Sequence, residues 1–251
     1  MVPTYMNDQP LGTEELGHYI TPPRLKIVQK QSGEELLAAF GPGDIIIVPD
    51  MQVIAAWERS TRGQVAGEAP HFTLSPIFFF PEWAVWNPLS TKGQLPAIRE
   101  RTLDPKSDIA AKARDPERRI EDHPDVKGET LHYVEHLNFI CMVADYPNPV
   151  VVSFSRGEHK AGRQFANLVK MRRAPLYGCS FTAVCGLRSN NQGSWYGLDI
   201  QNNEEAPWIA EDAFAIHKAL FIEYNDAHQK RAIQVNYEDP EPTPPDTDAE
   251  C

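Results

Sequence analysis

The sequence predicts a mainly β protein with accessory helices, either a barrel or a sheet with helices laid on it. Three observations carry that expectation. Proline is abundant, at 22 of 251 residues, and proline opposes long helices while favouring strand ends and turns. The second half repeats runs of alternating apolar and polar residues, separated by turn formers. Two of its segments carry a helical period, and no βαβαβ succession is present, which argues against a doubly wound fold.

Taken in order, residues 1–20 read as a flexible arm. Pro22 and Pro23 then set an extended backbone for "RLKIVQ", with Leu25 and Ile27 on one face. "SGEELLAAF" suits one or two helical turns opening at Ser32, with Glu35 placed for a capping box. "GPGD" is a turn, and Ile45 to Val48 a short buried strand. "FTLSPIFFFPEWAVW" is strongly apolar. Its Pro76 and Pro81 bracket a short strand and suit an edge or a bulge, with Phe78, Phe79 and Phe80 in the core. Residues 99–130 hold eight Lys/Arg and nine Asp/Glu and read as an exposed loop or insertion.

The second half is more regular. "LHYVEHLNFICMVADYP" and "VVVSFS" are strands around a turn, and the β-branched run suits a central position. "GEHKAGRQFANLVKMRR" is the best helix, with Phe165, Leu168 and Val169 as its apolar stripe. "LYGCSFTAVCGL" and "SWYGLDIQ" form a hairpin about "NNQG". A second helix follows, with Ile209, Phe214, Leu220 and Phe221 as its buried positions. Residues 237–251 carry six acids, four prolines and no base, so they are expected to form a disordered tail. The body, 21–236, reads as a single domain.

Composition narrows the function. No run of 18 apolar residues suggests a membrane span. The N-terminus lacks a basic stretch followed by an apolar one, so a cytoplasmic setting, that of a host cell, is expected. Cys141, Cys179 and Cys185 read as small buried hydrophobes and Cys251 as an exposed thiol. No metal and no cofactor is expected. On a strand, His132 and His136 lie roughly 13 Å apart at about 3.3 Å per residue, too far to share one ion. No GxSxG, GxxxxGK[ST], HExxH, HRD or DFG string is present, and no catalytic residue is assigned.

One feature stands against the net charge of −11. Between residues 156 and 173 the chain gathers Arg156, Lys160, Arg163, Lys170, Arg172 and Arg173 against one acid, Glu158. Such a segment suits nucleic-acid phosphates. Tyr177, Phe181, Trp195 and Tyr196 follow it and are the candidates for base stacking. The plainer alternative is a solvated helix face beside core aromatics.

"PRLKIVQKQSGEEL", "GPGDIII", "NPVVVSFSRGEHKAGRQFANLV", "PLYGCSFTAV" and "GSWYGLDIQ" resemble a group of phage-encoded single-stranded DNA-binding or replication-associated proteins. The overlap spans roughly residues 22–60 and 131–225. The resemblance implies an OB-like antiparallel barrel and non-catalytic, sequence-nonspecific binding of single-stranded DNA in replication or recombination. It also implies that the acidic tail docks a replication or recombination protein, or covers the protein's own basic groove. The alternatives are a phage protein that binds and modulates a host protein, and a DNA-processing nuclease.

Overall fold

The computed structural model describes residues 21–56, 69–88, 97–190 and 193–237. The expected arm, part of the hairpin turn and the acidic stretch from residue 238 lie outside them. The elements are β1 (Arg24–Ile27), α1 (Glu34–Ala39), β2 (Ile45–Val48), β3 (Gln52–Ala55), β4 (His71–Trp86), β5 (Ile98–Thr102) and α2 (Asp108–Arg114). They continue with β6 (Ile120–Asp122), β7 (Thr130–Val143), β8 (Val150–Ser155), α3 (His159–Met171), β9 (Phe181–Asn190), β10 (Gly193–Asn202) and α4 (Glu211–Gln229).

Among the described residues, ten strands make one sheet in the order β10-β9-β4-β7-β8-β1-β2-β3, with β5 also on β4 and β6 also on β7. The β1–β8 pair is parallel and its neighbours are antiparallel. The end strands β10 and β3 do not meet, so the sheet is open. The OB-like barrel is therefore corrected to a mixed α/β fold, and single-stranded DNA binding in a barrel groove falls with it. The sheet is also covered on both sides, as a small barrel with a solvent-facing exterior is not: Val150, Val151 and Val152 of β8 are all buried, on alternating faces. One face packs on α3 through Leu137, Phe139, Val152, Phe154 and Phe165. The other packs on α4 and the segment after it through Ile140, Val151, Tyr224, Ile233 and Val235.

The prolines of β4 find a different explanation from an edge strand. β4 is a 16-residue central strand, paired with β7 from Leu74 to Trp86. On its other side β9 pairs only with His71–Leu74, and β5 only with Trp83–Trp86. Pro76 and Pro81 fall in the stretch between, where a missing N–H costs no ladder bond. A bulge lies between Pro76 and Phe78.

Residues 99–130 are likewise more than a loop. They supply β5, α2 and β6. Ser107 caps α2, its Oγ accepting from Ala110 N at 3.2 Å. Ile109 and Ala110 are buried against Trp83, Val85 and Leu131. Two small apolar anchors suffice, while Lys112 bridges Asp108 at 3.1 Å and Glu121 at 2.9 Å on the outside. In α4, Leu220 and Phe221 pack partly buried against the core as expected, Phe214 is 37% exposed, and His217, Tyr224 and Ala227 are the fully buried positions.

Gly162 fixes how closely α3 lies on the sheet. A Cβ there would sit 2.6 Å from Phe154 Cβ and 3.1 Å from Leu137 Cδ1. On an exposed helix, alanine for glycine gains about 1 kcal/mol. Here the overlap reverses the sign, and Gly162→Ala is expected to destabilise by about 1–3 kcal/mol. Urea denaturation checks this: an unchanged or raised midpoint shows that α3 lifts off the sheet freely.

Candidate functional site

β7 pairs with β6 at Thr130–His132 and with β8 only from His136 onward. Two clefts meet at the gap between these partners, one on each face of the sheet. The first, of about 1080 Å³, takes Tyr133, Glu135 and Leu137 from β7, Arg114 and Arg119 from the α2–β6 segment, and Arg156, His159 and Arg163 from the start of α3. The second, of about 670 Å³, takes Thr130, His132 and His136 from β7, with Arg24, Trp86, Ser153, Ser155, Arg156 and Tyr237. His132 and Arg156 line both.

In the first lobe the carboxylate is already engaged. Glu135 Oε2 lies 2.7 Å from His159 Nε2, and Oε1 accepts from Trp83 Nε1 at 3.0 Å. Arg114 stands 3.6 Å from Oε1, and its guanidinium lies 4.6 Å from the Trp83 ring centroid. The bond to His159 is the main reason Glu135 is held below the usual carboxylate range. Four guanidiniums therefore face one paired acid. The start of α3 adds to the positive field, because its first turn has no acid. Glu158, just before the helix, turns away to Trp195 Nε1 at 2.7 Å, Leu198 N at 3.2 Å and Arg188 at 3.3 Å. Burial raises its pKa.

Arg156 holds the junction. Its backbone is left-handed, at φ 48°, an uncommon conformation for a residue with a side chain. The turn sets its guanidinium over Trp86, 5.5 Å from the ring centroid. Beneath lies a buried polar centre. Trp86 Nε1 donates to His136 Nε2 at 3.3 Å, and the His136 ring stacks on Tyr237 at 4.2 Å. The Tyr237 hydroxyl donates to Glu82 Oε2 at 2.6 Å and accepts from Asn138 Nδ2 at 2.8 Å. Burial, then Arg156, Arg24 and Arg101, push the His136 pKa down to about 3, so the ring is neutral.

Of the six predicted phosphate contacts, Arg156 and Arg163 line the first lobe. Lys160, Lys170 and Arg173 are exposed elsewhere on or beyond α3. Arg172 donates to Asn202 at 3.0 Å and lies over Phe181 and Trp208. The predicted stacking rings do not gather at the clefts. Phe181 is core, Tyr177 packs on Phe214 and Phe221, Tyr196 covers Gly43, and Trp195 covers Gly157 with its N–H bound to Glu158. These rings are packing residues, because each serves a neighbouring element. The residues missed were Arg24, Trp86, Arg114, Arg119, His132, Glu135 and His159. A signal existed for part of them: on a strand, His132 and His136 share one face, and Tyr133 and Glu135 the other.

Among the described residues no three His, Cys, Asp or Glu side chains converge to hold a metal, and no helix is long and apolar enough to cross a membrane. The chain is of a phage-encoded kind. It belongs to the family described as Pam3 phage gp34-like protein, whose model matches residues 61–229. That match takes in β4 and the charged segment, the stretches that the resemblance to replication-associated proteins leaves out. No curated protein and no solved structure matches.

Two predictions come from the buried centre. Tyr237 belongs to the body, one residue beyond the expected boundary. Tyr237→Phe removes a hydrogen bond from Asn138 and leaves Glu82 with Arg101 alone, at 3.6 Å, and is expected to cost about 1–3 kcal/mol. A chain ending at Asn236 should lose at least as much in thermal melts, while one ending at Tyr237 keeps the bond. The second concerns acid. His136 protonates near 6.5 when unfolded but near 3 when folded, so its contribution is complete above pH 6.5 and is lost as pH falls toward 3. Glu82 acts oppositely, since burial raises its pKa and its ionisation costs stability at higher pH. His136→Gln should reduce the pH slope of stability between about 6 and 4 by ~1.4 kcal/mol per pH unit, one proton's worth. Equal slopes in wild type and variant would show that His136 titrates freely.

Proposed function

We propose that the protein binds the phosphate backbone of a nucleic acid in the first lobe, without catalysing a reaction on it. The observation that carries this reading is the convergence of Arg114, Arg119, Arg156 and Arg163 on one cleft in a chain of net charge −11. Among the described residues, Arg119, Arg156 and Arg163 make no ion pair, while Glu135 is bonded to His159 and Trp83. Such a cleft attracts polyanions, and the remaining acidic surface limits where they settle. The arginines differ in origin, two from the end of α2 and the segment after it and two from the β8–α3 link and α3 itself, so they surround a chain on two sides.

Fluorescence anisotropy with labelled oligonucleotides tests this, with single-stranded DNA as the first probe and duplex as the second, at two salt concentrations. Three to four phosphate contacts give a log–log salt slope of roughly −2 to −3 on single strands. Arg119→Ala and Arg163→Ala should each weaken binding and flatten the single-strand slope by about 0.7. Binding that ignores salt, or that survives both substitutions unchanged, would overturn the assignment.

A further inference from the structure

The second lobe has a chemistry of its own. Arg24 and Arg156 stand in its wall, with the Ser153 and Ser155 side chains and the His132 imidazole as further polar groups. Glu129 is the acid in its lining. His136 is buried and bonded to Trp86, and three guanidiniums, those of Arg156, Arg24 and Arg101, disfavour its protonation. The His132 imidazole is likewise shifted down, by burial and then by Arg156. The field inside the lobe is therefore positive and is carried by arginines, with the imidazoles left neutral. Trp86, Pro88 and the Tyr237 ring add apolar surface. Its volume, about 670 Å³, exceeds what a bare phosphate fills and lies in the range of small-molecule sites.

We propose that the second lobe is a nucleotide subsite. It takes one phosphorylated nucleoside unit, the phosphate between Arg24 and Arg156 and the base against Trp86 and Pro88. This rests on the reading of the first lobe as a backbone cleft and extends it. Because Arg156 and His132 line both lobes, one strand passing the gap between β6 and β8 presents a phosphate to the first lobe and its neighbouring unit to the second. The left-handed backbone at Arg156 holds the shared guanidinium at that crossing.

The test uses the full chain and thymidine 5′-monophosphate, with thymidine and inorganic phosphate as controls, followed by NMR of the histidine rings and by calorimetry. The monophosphate should shift the His132 and His136 ring signals and bind about 10-fold tighter than either control, about 1.4 kcal/mol. Arg24→Gln should weaken it about 10-fold, and Arg156→Gly, which keeps the left-handed turn comfortable, by at least as much. Arg119→Ala should leave monophosphate binding unchanged while weakening oligonucleotides. If oligonucleotides bind but the monophosphate leaves both rings unmoved, the subsite is wrong and the backbone cleft stands. If the monophosphate binds as described and oligonucleotides do not, the cleft is wrong and the nucleotide site stands. A monophosphate that binds equally well to Arg24→Gln and Arg156→Gly overturns the subsite, and the wild-type ring shifts decide the matter should either variant fail to fold.

Discussion

The pairing of β4 with β7 is the constraint on which the rest of the molecule depends. It joins twelve residue pairs, from Leu74 with Val143 to Trp86 with His132. A ladder of that length fixes the facing of every residue on both strands, because a slip by one would turn each side chain to the opposite face. Leu137, Phe139 and Cys141 go to the α3 side as a result, and Asn138 and Ile140 to the α4 side. The same alternation sends Glu135 into one lobe and His136 into the other. The functional geometry is thus a by-product of the core register. No loop needs to be positioned separately to bring Trp86 beside His136, since the two lie on paired strands.

Charge is distributed according to the same plan. The chain is acidic overall, yet the sheet end between β6 and β8 collects guanidiniums from three regions: Arg24 at the start of β1, Arg114 and Arg119 at and after the end of α2, and Arg156 and Arg163 just before and within α3. Acids near them are withdrawn by better partners. Glu135 is held by His159 and Trp83, and Glu158 by Trp195 and the backbone of Leu198. A carboxylate with two or three donors is a poor competitor for arginine, so the positive face persists without an excess of positive residues in the composition.

The strands, α3 and the body's β-rich character were legible because they rest on local periodicity. The two long strands were recognisable as apolar runs, and Phe165 as a buried helix position. Closure was not legible. An alternating run says which face is apolar but not whether a sheet bends round to meet itself, and Val150 to Val152 announce burial on both faces only once a helix is known to cover each. The charged segment misled because a helix needs only Ile109 and Ala110 to dock, and two anchors among seventeen charges leave no period to detect. The arginine cleft was half visible. Arg156 and Arg163 stood in an evident basic run, whereas Arg114 and Arg119 reach the same place from about 40 residues earlier, a proximity that only the β6–β7 pairing creates. The expected stacking rings lie away from the clefts for the opposite reason: an aromatic on a strand is more often spent on packing.

The hydroxyl of Tyr237 reaches a carboxylate made 155 residues earlier. On a ribosome adding roughly 5–20 residues per second, that separation is about 8–30 s. Once β7 has been made, Glu82 lies between paired strands with Arg101 at 3.6 Å, but the Tyr237 hydroxyl is still to come. A carboxyl group buried short of its closest hydrogen-bond partner is costly, so the centre of the sheet has reason to stay open to water until Tyr237 has been synthesised. The nascent chain therefore completes this part of its interior late, and the closing bond is one between its early and its final segments.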